Sequence, residues 1–488
     1  MKLKAAFHPG FFFLIFVLLL SCSKETPSSP NILFILADDL GWMDVGYMGS
    51  ELYETPNIDA LAGEGMIFRN AYAANALCSP TRASIMTGMY PARVGIITPT
   101  CHVEEEVFQQ SVPESGPPSR KVLLPESVTR LSKEYYTLAE ALKDGGYSTG
   151  HFGKWHLGHA PYDALNHGFD VDIPNSPVPG PVGGYFSPWV FWETDGPDAE
   201  YLEDRMAKEA VQFIREHKNE PFFLNYWAFS THTPIDAKRD ISAKYYHKLK
   251  GMDPDTPQQN ASYAAKVEGL DDAVGALIYE LKKQGLYENT IIIFFSDNGG
   301  LAVPTKEVQT LYWNTPTTNN FPLRFGKASI YEGGTRVPMC VRWPGITVPG
   351  SESKEFVSSV DWYPTLLDIL ELPGPEGVNF DGISIVPALK EGKLDRNTVF
   401  NFKPFAALGE RPAVSVRRDH YKLIRFFYGG EGWEHDFELY DLEEDPGETD
   451  NLAGEMPELV KELDLMITEF LIHTEAVLPL PNPNYHAE

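Results

Sequence analysis

Cysteine is scarce in this chain, and the scarcity is informative. Four cysteines among 488 residues exclude a scaffold built on disulfides. No Cys and His spacing of the zinc-finger kind occurs in the region expected to form the mature protein. Positive charge is also in deficit: 40 Lys and Arg stand against 68 Asp and Glu, a formal net charge of −28. That balance argues against nucleic acid or an anionic membrane surface as the main partner. Any anionic ligand would need a local cluster of cations. The apolar run from Phe11 to Leu20 is too short to cross a bilayer comfortably. Internal repeats and long low-complexity segments are missing. A hydrophobic content of 43% is ordinary, so the length suffices for one large domain with a smaller partner.

The first thirty residues read as targeting sequence. Lys2 and Lys4 precede the apolar run, which ends in Leu19-Leu20-Ser21-Cys22. That ending resembles the lipobox of bacterial lipoproteins. It implies a signal peptide over 1–21, a lipid anchor at Cys22 and a polar tether over 22–30. The protein is then expected to be exported to the bacterial cell envelope, as a periplasmic or surface lipoprotein. The alternative is an ordinary signal peptide with a chance cysteine. Cys101 and Cys340 would either pair or remain buried thiols.

Hydrophobic patterning predicts an α/β fold with a mostly parallel sheet. Asn31 to Ala37, Phe222 to Phe229 and Ile291 to Phe295 are continuous apolar runs, as expected of strands buried on both faces. Helices are predicted over 56–64, 137–143, 200–217 and 261–284. The catalytic domain is expected over 31–390. A C-terminal subdomain over 391–488 would hold antiparallel strands at Val414 to Phe427 and Phe437 to Tyr440, and a closing helix over 456–473. Between Glu431 and Asp450 the chain has many acids and no Lys or Arg, which reads as a solvated acidic loop.

Each of the three apolar strands is followed at once by polar residues: Asp38-Asp39, Ser230-Thr231-His232, and Asp297-Asn298. Asp and Asn after a strand can be simple turn formers. Three such endings in one open α/β sheet point instead to a ligand site at the carboxyl edge. Asp38, Asp39, Asp297 and Asn298 offer only oxygen donors, which select Ca²⁺, or alternatively Mg²⁺. Three carboxylates around a divalent ion leave one negative charge for nearby cations to balance. Cys78 beside Arg82 could be a reactive thiolate, yet a thiolate among carboxylates is electrostatically disfavoured unless a metal holds it.

The segment Cys78-Ser-Pro80-Thr-Arg82, followed by Thr87-Gly88, resembles the signature of type I sulfatases in the alkaline phosphatase superfamily. Asn31 to Gly41, Gly150 to Gly158, Thr231 to Pro234, Ser296 to Gly299, Leu323 to Pro338 and Leu439 to Leu452 resemble other motifs of that family. The resemblance implies that a maturation enzyme oxidises Cys78 to formylglycine (3-oxoalanine). It implies a gem-diol nucleophile, a covalent sulfoenzyme intermediate and a metal site of Asp38, Asp39, Cys78, Asp297 and Asn298. Arg82 would hold the gem-diol and help balance the carboxylates, and Lys154 and Lys327 would bind sulfate. His156 would act as base, and His232 or Lys327 as proton donor to the leaving oxygen. Trp155 is expected in the core, and Arg336 in a structural ion pair.

With the lipobox, the resemblance suggests a sulfated sugar within a polysaccharide or oligosaccharide as substrate. His102 with residues 98–130, and Tyr312 and Trp313, are expected to shape the pocket. A phosphate or phosphonate ester hydrolase of the same superfamily is the nearest rival. A non-catalytic glycan-binding surface lipoprotein is the second.

Overall fold

The computed structural model describes residues 29–302, 316–408 and 410–486. The signal peptide, Cys22 and the pair Tyr312 and Trp313 lie outside the described residues. None of the described helices is long and apolar enough to cross a membrane.

The main sheet has eight strands: β1 (Asn31–Ala37), β2 (Met66–Tyr72), β3 (Ser148–Gly153), β4 (Val171–Ile173), β5 (Phe222–Trp227), β6 (Thr290–Ser296), β7 (Arg336–Arg342) and β8 (Ser351–Ser358). Their spatial order is β4-β3-β5-β1-β6-β7-β2-β8. Only β7 runs against the rest. The central strands are apolar throughout because both faces are covered. Leu33 and Ile35 of β1 point into one core with Leu224, Tyr226, Ile292 and Phe294. Ile32, Phe34 and Leu36 point into the other with Phe223, Trp227, Ile293 and Phe295. Cys340 lies in the first core and Cys101 in the second, and both are buried free thiols.

The predicted helices form close to their expected limits. Helix α1 (Pro56–Glu64) opens with proline. Helix α2 (Cys78–Thr87) is buried along its whole length. Helix α3 (Leu138–Asp144) starts at Thr137, whose side chain forms a reciprocal capping box with Glu140. Helices α4 (Leu202–Glu216) and α5 (Ala261–Lys283) cover one face of the sheet.

A separate antiparallel sheet follows: β9 (Thr398–Lys403), β10 (Ala413–Arg418), β11 (Tyr421–Phe426) and β12 (Asp436–Asp441). The single run expected at Val414 to Phe427 is thus two strands, folded back at Asp419-His420. One face, including Val414, Val416 and Leu423, packs on the closing helix α6 (Pro457–His473). The other, including Ala413, Ile424 and Tyr440, packs on Ile330 and Tyr331. The small sheet therefore backs the segment that carries Lys327.

The stretch from Glu431 to Asp450 departs from the solvated loop its charge suggested. Glu448 is fully buried. It accepts the Glu332 N–H at 2.7 Å and pairs with Lys422 Nζ at 3.0 Å. Glu332, equally buried, accepts from Lys422 Nζ at 3.0 Å and from the Tyr72 hydroxyl at 2.7 Å. This cluster ties the small sheet to the Lys327 segment, and burial of the acids is tolerated because Lys422 serves both. Replacing Lys422 with Met should leave Glu448 without its cation, while Glu332 keeps Arg417 and Arg336, and lower the unfolding free energy by about 3–5 kcal/mol. A urea melt of the full chain measures this, and a loss under about 1 kcal/mol would contradict it.

Candidate active site

Register delivers the site. Leu36 stands beside Trp227 on one side and Phe295 on the other, and Ala37 stands beside Ser296. The three central strands therefore end level, and the polar residues after them meet. Asp38 N–H donates to Ser230 O at 3.0 Å, and Asp39 N–H donates to Asp297 Oδ1 at 3.1 Å. Gly153 ends β3 at φ 115°, where an added Cβ would lie 1.9 Å from Trp227 O. Only glycine allows that approach, which seats Lys154 N–H on Trp227 O at 2.8 Å. Gly299 is pressed as closely on Gly333 O, and Lys327 N–H bonds Gly300 O at 3.0 Å. Lysines 154 and 327 thus reach the acidic pair from opposite sides of the strand ends.

Cys78 is the first residue of α2 and is 1% exposed. Its Sγ lies 3.5 Å from Asp38 Oδ1 and 3.9 Å from Asp39 Oδ1. Burial, with Asp297 and Asp38 nearby, pushes the thiol up to about 12 against the pull of Lys154 and Lys327. Without a metal to hold a thiolate, this burial favours the thiol form of an unmodified Cys78.

Three cations answer three carboxylates. Lys154 Nζ is 2.6 Å from Asp38 Oδ2, Lys327 Nζ is 2.7 Å from Asp39 Oδ2, and Arg82 Nη2 is 2.8 Å from Asp297 Oδ2. The Arg82 guanidinium also donates to the Lys154 carbonyl and lies over the Trp227 ring. Burial raises Asp39, but Lys327, His232 and Lys154 outweigh it and hold its carboxyl well below the usual range. For Asp297, burial and Asp38 prevail over Arg82 and Lys154, raising it to about 6. Both lysines sit on carboxylates, where the sequence suggested contacts with sulfate.

His156 is buried at φ 54°. Burial, then Lys154 and Arg82, depress its pKa far below the ordinary value, so the ring is neutral. His232 Nε2 lies 3.7 Å from Asp39 Oδ2, and burial and Lys327 lower its pKa too. Asn298 Nδ2 donates to Asp39 Oδ1 at 2.8 Å, while its Oδ1 is buried without a partner among the described residues. Asp38, Asp39, Cys78 and His232 offer ligand atoms within 4.8 Å of one another. All the site residues expected from sequence converge here. Trp155 packs in the core and Arg336 pairs with Glu332 at 3.7 Å.

Several supporting residues escaped the sequence reading. Tyr263 on α5 donates to Asp44 Oδ2 at 2.6 Å and accepts from Thr231 Oγ1 at 2.9 Å. Thr231 Oγ1 reaches the carbonyls of Asp38 and Asp39 at 3.2 Å. Lys266 donates to the carbonyls of His232 and Pro234 and lies over the Tyr185 ring at 3.3 Å. A lysine on the apolar face of a helix was the available signal for it.

The ion pairs carry a stability consequence. Arg82→Ala should cost about 3–5 kcal/mol by leaving Asp297 without its partner. Asp297→Asn in the same chain should recover part of that loss. Denaturant melts of the two single variants and the double variant measure the coupling, and strictly additive losses would contradict it.

A family model described as Sulfatase matches residues 30–372, and one described as N-sulphoglucosamine sulphohydrolase, C-terminal, matches 323–473. N-acetylgalactosamine-6-sulfatase of Homo sapiens is 30% identical over 496 residues, which cover 94% of this chain and 88% of that protein. A sulfatase of Formosa agariphila is 32% identical over 525 residues, covering 89% and 86%. Among solved structures, Ps i-CgsB in complex with k-i-k-neocarrahexaose has a TM-score of 0.72 at 28% identity, covering 91% of this chain and 93% of its own. Matched over most of its length by the family model and by relatives of similar extent, the chain belongs to the sulfatase family, enzymes that hydrolyse sulfuric esters.

Proposed function

We propose that this enzyme removes sulfate from a sulfated sugar of a polysaccharide or oligosaccharide, using a nucleophile made from Cys78. The observation that carries this reading is the convergence of Arg82, Lys154 and Lys327 around Cys78 in a chain of net charge −28. The names of the relatives support a sugar: one is an N-acetylgalactosamine-6-sulfatase, and a solved neighbour holds a neocarrahexaose.

Sγ of Cys78 marks where the oxygens of the oxidised residue would stand. Hydrated formylglycine supplies two geminal hydroxyls, one to attack sulfur and one whose collapse to the aldehyde releases sulfate. Because Cys78 is almost fully enclosed, the maturation enzyme must reach it before the chain folds. His156 accepts the proton of the attacking hydroxyl, and His232 or Lys327 returns one to the leaving oxygen. Arg82 holds residue 78 and the Asp297 side of the site. With this reading goes a proposed division into a catalytic domain over 31–390 and a subdomain over 391–488. The tether and lipid anchor at Cys22 would place the enzyme at the bacterial cell envelope.

The donor set fits a hard divalent cation. Asp38, Asp39 and residue 78 lie in one group of possible ligands with His232; Asp297 would add a carboxylate and Asn298 its Oδ1, which has no partner among the described residues. Ca²⁺ is the proposed ion, with Mg²⁺ the alternative; bound, it supplies Lewis-acid stabilisation of negative charge. Once the carboxylates are neutralised in this way, the two lysines are free to bind the ester oxygens.

Matured enzyme should hydrolyse sulfate esters faster than matched phosphate or phosphonate esters, and a sulfated mono- and disaccharide panel should contain a substrate. Faster phosphate turnover would transfer the protein to the rival reading, and activity on aryl sulfates alone would remove the sugar. Cys78→Ala should abolish turnover. Cys78→Ser should bind the ester and stall, since serine has no second hydroxyl to expel sulfate. Calcium at a hundredfold excess over its Kd should add about 2.7 kcal/mol of stability, read as a rise in Tm. Asn298→Ala should shrink that rise, and an unchanged rise would remove Asn298 from the ligand set.

A further inference from the structure

His156 is held from two directions. The Ser79 hydroxyl donates to its carbonyl at 2.8 Å, fixing the backbone beside Cys78. Among the described residues its ring has a single hydrogen-bonding neighbour: Nε2 lies 3.1 Å from His102 Nδ1, with ring centroids 5.3 Å apart. The other ring nitrogen, Nδ1, is buried and has no partner among the described residues. His102 comes from the segment between α2 and α3, and it sits exposed at the rim of the site.

A neutral imidazole carries one N–H and one lone pair, and its neighbour decides which nitrogen holds which. A single proton joins the two rings. If it belongs to His156 Nε2, then His156 Nδ1 is a bare lone pair that can accept a proton. If it belongs to His102 Nδ1, then His156 Nδ1 carries hydrogen and can only donate. A base at this position requires the first arrangement.

We infer that His102 is a positioning residue: its Nδ1 accepts the His156 Nε2 proton and so leaves His156 Nδ1, which has no partner among the described residues, as the lone pair available to take a proton. This rests on the reading of His156 as base. When the proton of the attacking hydroxyl arrives on Nδ1, the Nε2–H to His102 persists and steadies the imidazolium.

The test compares three substitutions in the full, matured chain with a sulfate ester. His102→Ala should lower kcat about tenfold to a hundredfold, the usual scale for losing a partner that orients a reactive ring, and leave KM within about twofold. His102→Gln, whose amide oxygen can accept from Nε2–H, should recover most of kcat. His102→Lys, a donor only, should not. Unchanged Tm values across the set exclude unfolding as the cause. Equal kcat for the Gln and Lys variants, or a change confined to KM, would overturn the inference. His156→Ala separates the two claims: wild-type turnover there defeats the base itself, whereas lost turnover there with full kcat in His102→Ala defeats only the role of His102.

Discussion

Everything at this site depends on keeping three carboxylates together out of water. Asp38, Asp39 and Asp297 are at most 2% exposed, and three ionised acids at such spacing cannot persist unaided. Lys154, Lys327 and Arg82 each take one. The same three cations then define what the pocket can accept. A chain that is strongly acidic overall gathers three cations at this one edge. The pKa shifts follow from this balance: Asp39 falls because Lys327 lies against it, while Asp297 rises because burial and Asp38 prevail.

The fold imposes the balance through backbone geometry. Strands β1, β5 and β6 end level, and Gly153 and Gly299 permit backbone contacts that a side chain would forbid. Helix α2 places Cys78 at its first turn, facing the acids. Tyr263, Thr231 and Asp44 brace the Asp38-Asp39 turn from beneath. The small sheet reaches the chemistry indirectly, by packing on Ile330 and Tyr331 close to Lys327. Lys327 and the Glu332–Lys422–Glu448 cluster thus share one support.

Much of this was legible in the residues. An apolar run that ends in Asp-Asp or Asp-Asn marks both a strand buried on two faces and the polar residues that meet at its end. The Thr137 cap and the Pro56 start announced their helices. What stayed hidden has a common cause: its meaning lies in partners far along the chain. Glu448 looks solvated until Lys422 and Glu332 surround it. Asp44 looks like a turn residue until Tyr263 reaches it from α5. Strand β7 overlaps the motif segment that ends at Pro338, and its direction is set by its neighbours. The lysines carry the correct charge for sulfate, but sequence does not show that the carboxylates claim them first.

The most direct measurement is the mass of the peptide containing residue 78, taken from protein made in a host able to mature it. The account predicts an aldehyde there, trapped by a hydrazide, in the fraction of molecules that turn over sulfate. Full activity with residue 78 still a thiol would contradict it.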